Sequence, residues 1–223
     1  MRMKIPLLAA LATLLCIVAL PAGAAEAVPD EDWQEGTHYA QLPVPIDTET
    51  PGQIEVVEMF SYACIHCYNF DPYLEAWRTG LPDDVAFRRI PAIFNDSWAL
   101  LAQVFYTAEV LGVGEQLHMP MFRSIHEPEH ALDLRKQEFL EQLFAEYGQV
   151  DPVDFNNAFG SFSVRSRVQQ ADAHGRAYRI SGVPSLIVNG KYRVDGTMAG
   201  NNANMLKVVE FLVAQERSAA EAQ

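Results

Sequence analysis

Two cysteines, Cys64 and Cys67, separated by Ile65-His66 and set directly after the apolar run Ile54–Phe60, constrain this chain more than any other feature of it. A strand that feeds a C-x-x-C into the first turn of a helix holds two thiols where they can close and open one disulfide. The only other cysteine, Cys16, lies in an N-terminal apolar stretch expected to be removed from the working protein. The remaining pair must bond to itself or to another molecule, and it reads as a redox site.

Compartment agrees with chemistry. Met1-Arg2-Met3-Lys4 leads into the apolar Ile5–Leu20 and then Pro21-Ala22-Gly23-Ala24, the charged, apolar and small-residue order of a secretory signal. The run is shorter than the ~20 apolar residues of a membrane span and ends in an A-x-A site, so cleavage after Ala24 is expected, with Ala25–Ala27 as a second frame. Disulfides persist outside the cytosol. A body of roughly 200 residues buries a core without covalent staples, so the pair is better explained by reactivity than by stability. A net charge of −13 opposes binding to nucleic acid or anionic lipid through a basic surface.

Hydrophobic patterning divides the chain. Residues 25–37 are polar and acidic and read as a loose leader, with a short edge strand at Tyr39–Leu42. Ile54–Phe60 has the length and branching of a strand covered on both faces. A helix is expected over Ile65–Thr79, ended by Gly80-Leu81-Pro82 and kinked at Pro72, which has no N–H for the carbonyl of Tyr68. Val85–Ile90 reads as the next strand. From Trp98, apolar residues recur at helical spacing (Leu100, Leu101, Val104, Phe105, Ala108, Leu111), and further helices are expected at Glu115–Ile125, Lys136–Tyr147, Val153–Ala158 and Val164–Arg179. Leu186–Val188 and Tyr192–Val194 flank Asn189-Gly190, a hairpin signal, and a last helix spans Ala203–Arg217. The order predicts an α/β domain built from 38–97 and 171–217, interrupted by a helical block at 98–170 and followed by a flexible tail at 218–223. Phe144, Tyr147, Phe155 and Phe159 are expected in the core of the helical block, and Arg165, Arg167 and Arg176 on a solvated helix side.

Within the site, Cys64 is expected at the helix N-terminus, where unpaired N–H groups and the macrodipole favour a thiolate. Cys67, one turn on, is expected beneath it and more buried, with His66 a nearby donor. Strand alternation sets Glu58 on one face with Ile54, Val56 and Phe60, partly buried, where a carboxylate needs a partner or a proton. Arg89 on the next strand is a candidate for an ion pair. His118, His126 and His130 follow H-x7-H-x3-H spacing interrupted by Pro128, so they read as solvated surface residues and no metal site is expected.

The segment Val56-Val57-Glu58-Met59-Phe60-Ser61-Tyr62-Ala63-Cys64-Ile65-His66-Cys67-Tyr68, the helical block, Gly182-Val183-Pro184-Ser185 and Val188-Asn189-Gly190-Lys191-Tyr192, in that order, resemble the DsbA family of periplasmic thiol:disulfide oxidants. The resemblance implies an α/β thioredoxin fold with an inserted all-helical domain. It implies Cys64 as nucleophile, Cys67 as resolving thiol, His66 as stabiliser of the Cys64 thiolate and Glu58 in proton exchange with Cys67, a role compatible with an ion pair to Arg89. It also implies a cis Pro184 facing the disulfide and a Val183 backbone that pairs with an extended client. Implied partners are reduced, unfolded exported proteins and an inner-membrane, quinone-linked reoxidant of the DsbB type. No cofactor and no nucleic acid are expected, the chain is expected to be a monomer, and an apolar groove is expected beside Cys64. Well-known family members carry proline where this chain has Ile65, which touches oxidising strength before reaction type. Rival readings are a reductase or an isomerase of the thioredoxin superfamily, or a metal carrier. Too few residues precede Ile54 for the dimerisation domain of the isomerases.

Overall fold

The computed structural model describes residues 32–131 and 133–222. The expected signal segment 1–24 and residues 25–31 of the expected leader lie outside the described residues. Residues 32–37 turn back through a hydrogen bond from the Gly36 N–H to the Tyr39 carbonyl, and Trp33 packs on the core.

The strand after Pro51-Gly52 is β2 (Ile54–Phe60), buried at every residue but the first. It lies inside a five-stranded sheet with order β1-β5-β4-β2-β3, where β1 is Ala40–Gln41, β3 is Val85–Pro91, β4 is Ser185–Val188 and β5 is Tyr192–Asp195. β2 pairs parallel with β3 and antiparallel with β4, which explains an apolar run with no polar face. On one face Val56, Leu186 and Val194 meet Phe70 and Leu74 of α1 (Ile65–Arg78) and Met205, Val208 and Leu212 of α8 (Asn202–Glu221). On the other, Val57, Met59 and Ile187 meet Ala171 and Tyr178, at the end of α6 (Phe162–Ala177).

Between β3 and β4 the chain is helical: α2 (Asp96–Val110), α3 (Gly114–His126), α4 (Gln137–Gly148), α5 (Pro152–Phe159) and α6. Starts are set by caps: the Asn95 side chain accepts from the Trp98 N–H, Asp151 from Val153 ahead of Pro152, and Ser161 from Val164. The mixed fold with an inserted helical region is the architecture expected from the sequence. The helix expected over 203–217 continues to Glu221, and α7 (Gly196–Ala199), a single turn, was not expected.

The helical elements build their own core from Leu101, Val104, Phe122, Leu140, Phe144 and Phe155, and Phe60, Tyr62 and Cys67 are part of it. Truncating one such buried phenylalanine to alanine would cost about 3–5 kcal/mol. Phe144 and Phe155 are fully buried as expected, but Tyr147 is 39 % exposed: it shares the stripe of Leu140, Leu143 and Phe144 but lies in the last turn of α4, beside Gly148. Arg165, Arg167 and Arg176 are exposed, as expected.

The β4–β5 hairpin turns at Asn189 and Gly190, both at positive φ (50° and 61°), as Asn-Gly turns require. Gly190 has a second reason to be glycine. The Ile46 N–H donates to its carbonyl at 2.9 Å, and a Cβ there would lie 1.9 Å from the Ile46 carbonyl oxygen. Gly190→Ala is expected to destabilise the fold by at least about 2 kcal/mol, since strain and displacement of the 42–46 segment add. Urea unfolding followed by tryptophan fluorescence checks this.

Candidate active site

β2 ends at Phe60, and a tight loop carries the chain into α1. Cys64 is the N-cap of α1 with extended φ/ψ (−93°, 113°), and its side chain makes no capping bond. The loop is tied down: the Cys64 N–H donates to the Ser61 carbonyl at 3.0 Å, the Ala63 N–H to Ser61 Oγ at 3.2 Å, and His126 Nε2 reaches the Tyr62 carbonyl at 2.8 Å. Cys67 is fully buried, Cys64 half-buried, and Ile65 and His66 exposed. Both thiols are reduced.

The Val183–Pro184 peptide bond is cis, and the Val183 carbonyl accepts from Cys64 Sγ at 3.4 Å. The loop before β4 therefore lies against the exposed thiol, and the Val183 N–H has no hydrogen-bond partner among the described residues. Beside it opens a cavity of about 580 Å³, bounded by His66, Val183, Pro184, Arg193, Asp195 and Met198. This cavity is mixed in character, in contrast to the apolar groove expected.

The two sulfurs differ sharply in proton affinity. Cys64 is pulled down from an ordinary value of 9.0 to about 6. The main cause is the Cys67 thiol donating to it, opposed by burial and helped by the backbone N–H groups of Cys67 and His66, with the His66 charge a smaller contribution. Cys67 is pushed well up, first by burial, then by its bond to Cys64 and the negative charge of Glu58. The helix terminus acts as the sequence suggests, but the buried neighbouring thiol acts more strongly than either it or His66.

Glu58 is 1 % exposed and forms an ion pair with Arg89 (Nε–Oε2 2.9 Å), its register partner on β3. Arg89 also reaches Asp71 Oδ1 at 3.2 Å and Glu75, both on α1. Burial raises Glu58 to about 7; Arg89 opposes this, and the nearby Asp71 and Glu75 add to it.

Sequence reasoning missed Asp71 and His118. His118 is buried at 7 %, with Nδ1 3.1 Å from Tyr62 Oη and Nε2 2.9 Å from Asp71 Oδ1. The expectation of three solvated histidines is corrected: His118 lies in the helical core, and His126 is half-buried and stacked on Tyr68 at 5.4 Å. Helical spacing carried the signal, because His118, Met121, Phe122 and Ile125 share one face, as do Cys67, Phe70, Asp71 and Leu74. His130 is exposed and meets Glu127, in a cluster with Glu129 that holds no buried ligand.

The fold and this geometry have counterparts. A profile described as the DSBA-like thioredoxin domain matches residues 83–207, more than half of the chain. That stretch excludes Cys64 and Cys67, so the match does not lean on the thiol pair. The thiol:disulfide interchange protein DsbA of Azotobacter vinelandii is 43 % identical over 195 residues, covering 87 % of this chain and 90 % of that protein. The chain belongs to the DsbA family. The DsbA of Pseudomonas aeruginosa strain PAO1 is 38 % identical over 210 residues, covering 94 % of this chain and 97 % of the relative. A crystal structure of Pseudomonas aeruginosa DsbA superposes with a TM-score of 0.79 at 38 % identity, covering 85 % of this chain and 97 % of that one. As a DsbA-family member, the chain is a thiol:disulfide oxidoreductase that oxidises substrate cysteines.

The low proton affinity of Cys64 links to stability with a definite sign. Its folded-state value lies below the unfolded one, so the thiolate's contribution to the reduced fold is complete above about pH 9 and is lost as pH falls through about 6. The oxidised fold has no Cys64 thiol to titrate. The melting temperature of the reduced protein relative to the oxidised one is therefore expected to fall on acidification through that window. Paired calorimetric scans of the two forms check this, and thiolate absorbance should titrate with a midpoint near 6.

Proposed function

We propose that the chain is a periplasmic dithiol oxidase that donates the Cys64–Cys67 disulfide to reduced, unfolded exported polypeptides and is recharged by an inner-membrane, quinone-linked partner of the DsbB type. DsbA homologues are periplasmic, and the signal-like order of residues 1–24 supports the same compartment here. The observation that carries the reading is the asymmetry of the two sulfurs, Cys64 low and Cys67 high.

A client thiolate attacks Cys64 Sγ; the client S–Cys64 bond forms, the Cys64–Cys67 bond breaks, and Cys67 leaves with the electron pair. Cys67 is a poor leaving group as a bare thiolate, and Glu58, which holds a proton near neutral pH, supplies one to it. A second client thiolate then attacks the client sulfur of the mixed disulfide and expels Cys64 as its stabilised thiolate. The client is oxidised by two electrons and the enzyme is reduced by two. The more stable the Cys64 thiolate, the further this equilibrium lies toward the reduced enzyme.

Val183 and Pro184 are the substrate-binding residues of this reading. The Val183 N–H can donate one main-chain bond to a carbonyl of an extended client, added-strand fashion, beside the sulfur under attack. His66 supports the thiolate through its backbone N–H and its charge. Residues 38–97 with 171–217 supply the thiol machinery, and 98–170 the cover over Cys67.

Equilibration with glutathione buffers, read by alkylating free thiols, is expected to give a potential toward the oxidising end of the thioredoxin superfamily despite Ile65. A value at thioredoxin's reducing end would move the chain to the reductase class. Mixed with a disulfide-bonded client, Cys67→Ala is expected to accumulate the mixed disulfide, because the Cys64 thiolate attacks the client disulfide, a client thiolate leaves and no inner thiol resolves the adduct; it is visible on non-reducing gels, and Cys64→Ser forms none. In Glu58→Gln the fall in thiol-reaction rate as pH rises through about 7 is expected to disappear, whereas an unchanged profile leaves Glu58 a structural role only.

A further inference from the structure

Two buried carboxylates, Glu58 and Asp71, face the single guanidinium of Arg89, and Glu75 on the rim adds a third negative charge. Two charges with one counter-charge in a dry site are relieved when one carboxylate keeps its proton. Pairwise distances to Arg89 do not choose between them, at 2.9 Å for Glu58 and 3.2 Å for Asp71. His118 breaks the tie.

We propose that His118 is a positioning residue that places this proton on Glu58 by donating its Nε2–H to Asp71 and holding Asp71 as the anion. The tautomer follows from the other ring nitrogen. The Tyr62 phenol is buried and its proton is held more tightly than usual, so its O–H donates and Nδ1 at 3.1 Å accepts. A neutral ring with Nδ1 as acceptor carries its hydrogen on Nε2, 2.9 Å from Asp71 Oδ1. Burial holds the ring neutral, against the pull of Asp71. The Nε2–H and the Arg89 guanidinium both present donors to the same Asp71 oxygen, which accepts both as the anion. Asp71 therefore keeps its share of Arg89, and Glu58 is left to carry the proton.

The other groups facing His118 do not supply an alternative donor. Phe60 and Phe122 pack against the ring, Tyr62 is used at Nδ1, and Arg89 and Glu75 belong to the cluster itself. His118 also borders a cavity of about 170 Å³ with Arg78, Arg88, Arg89, Glu109 and Glu115, which brings charges of both signs, while the ring nitrogens bond to Tyr62 and Asp71. His118 thus reaches the thiol chemistry from another helix, without touching either sulfur.

The inference rests on the proton exchange assigned to Glu58 above, and its test is separate from that reading. In the reduced protein, the carboxyl NMR signal of Glu58, assigned by its absence in Glu58→Gln, is followed against pH. The wild type is expected to titrate near 7. His118→Phe removes the donor, so the proton moves to Asp71 and the Glu58 midpoint falls by about one unit or more; His118→Met gives the same reading where the stiffer ring does not fit. His118→Gln retains an N–H for Asp71 and is expected to keep the midpoint within about half a unit of wild type. A folded Phe or Met variant with an unmoved Glu58 midpoint overturns the proposal, as does a Gln variant shifted as far as Phe. Loss of the Glu58 role in thiol chemistry would show in the activity profile of Glu58→Gln alone and would leave this titration readable.

Discussion

One guanidinium holds the centre of this molecule. Arg89, with its side chain 7 % exposed, joins β2 through Glu58, α1 through Asp71 and Glu75, and, by way of Asp71 and His118, the helical region. Buried charge of this kind is weak evidence of stability, since well-packed apolar side chains often do as well, but removing one partner strands the others at a cost of about 3–5 kcal/mol. What the cluster does contribute is an excess of acid over base beneath a thiol. That excess keeps a proton on Glu58 near neutral pH, and the Glu58 charge in turn raises the proton affinity of Cys67.

The fold converts a symmetrical pair of thiols into an unequal one. Cys64 sits at the open end of α1, between backbone N–H groups and the Val183 carbonyl. Cys67 is sealed by Tyr62, Phe122 and their neighbours in the helical core. The helical region therefore acts on the chemistry as well as on stability, because without it the inner sulfur would face water and its proton affinity would fall toward the ordinary range. A thioredoxin-like sheet supplies the loop and the cis proline; the insertion supplies the dielectric contrast.

Much of this was legible in the sequence, and the parts that were not share a cause. β2 and β3 are mostly apolar or β-branched, broken by Glu55, Glu58, Arg88 and Arg89, the hairpin is signalled by Asn189-Gly190, and three helix starts follow the caps Asn95, Asp151 and Ser161. The thiols and Glu58 stood out because cysteine pairs and charges inside apolar strands are rare. Asp71 and His118 did not, because each is polar within an amphipathic helix, where one polar residue on the inner face looks like any on the outer one. Their helical spacing with Phe70, Leu74, Met121 and Phe122 held the information, but only the docking of α1 against α3 turns two isolated exceptions into one hydrogen bond. Tyr147 erred in the opposite direction, since it continues the inner stripe of Leu140, Leu143 and Phe144 into the last turn of α4, where spacing does not tell how far the core reaches.

The adjacent arginines of β3 have a further consequence. Arg88 and Arg89 point to opposite faces of the sheet, Arg88 to the fully buried Glu55 (Nε–Oε2 3.0 Å) and Arg89 to Glu58. In parallel pairing a slip of one residue turns each side chain to the other face. A slip of one residue in either direction lets one arginine take the other's place and carries the second two residues farther along the sheet from the remaining glutamate, so that one buried carboxylate loses its cation. The charges thus work as a key for strand alignment, rejecting shifted pairings that two stretches of interchangeable apolar residues could not tell apart.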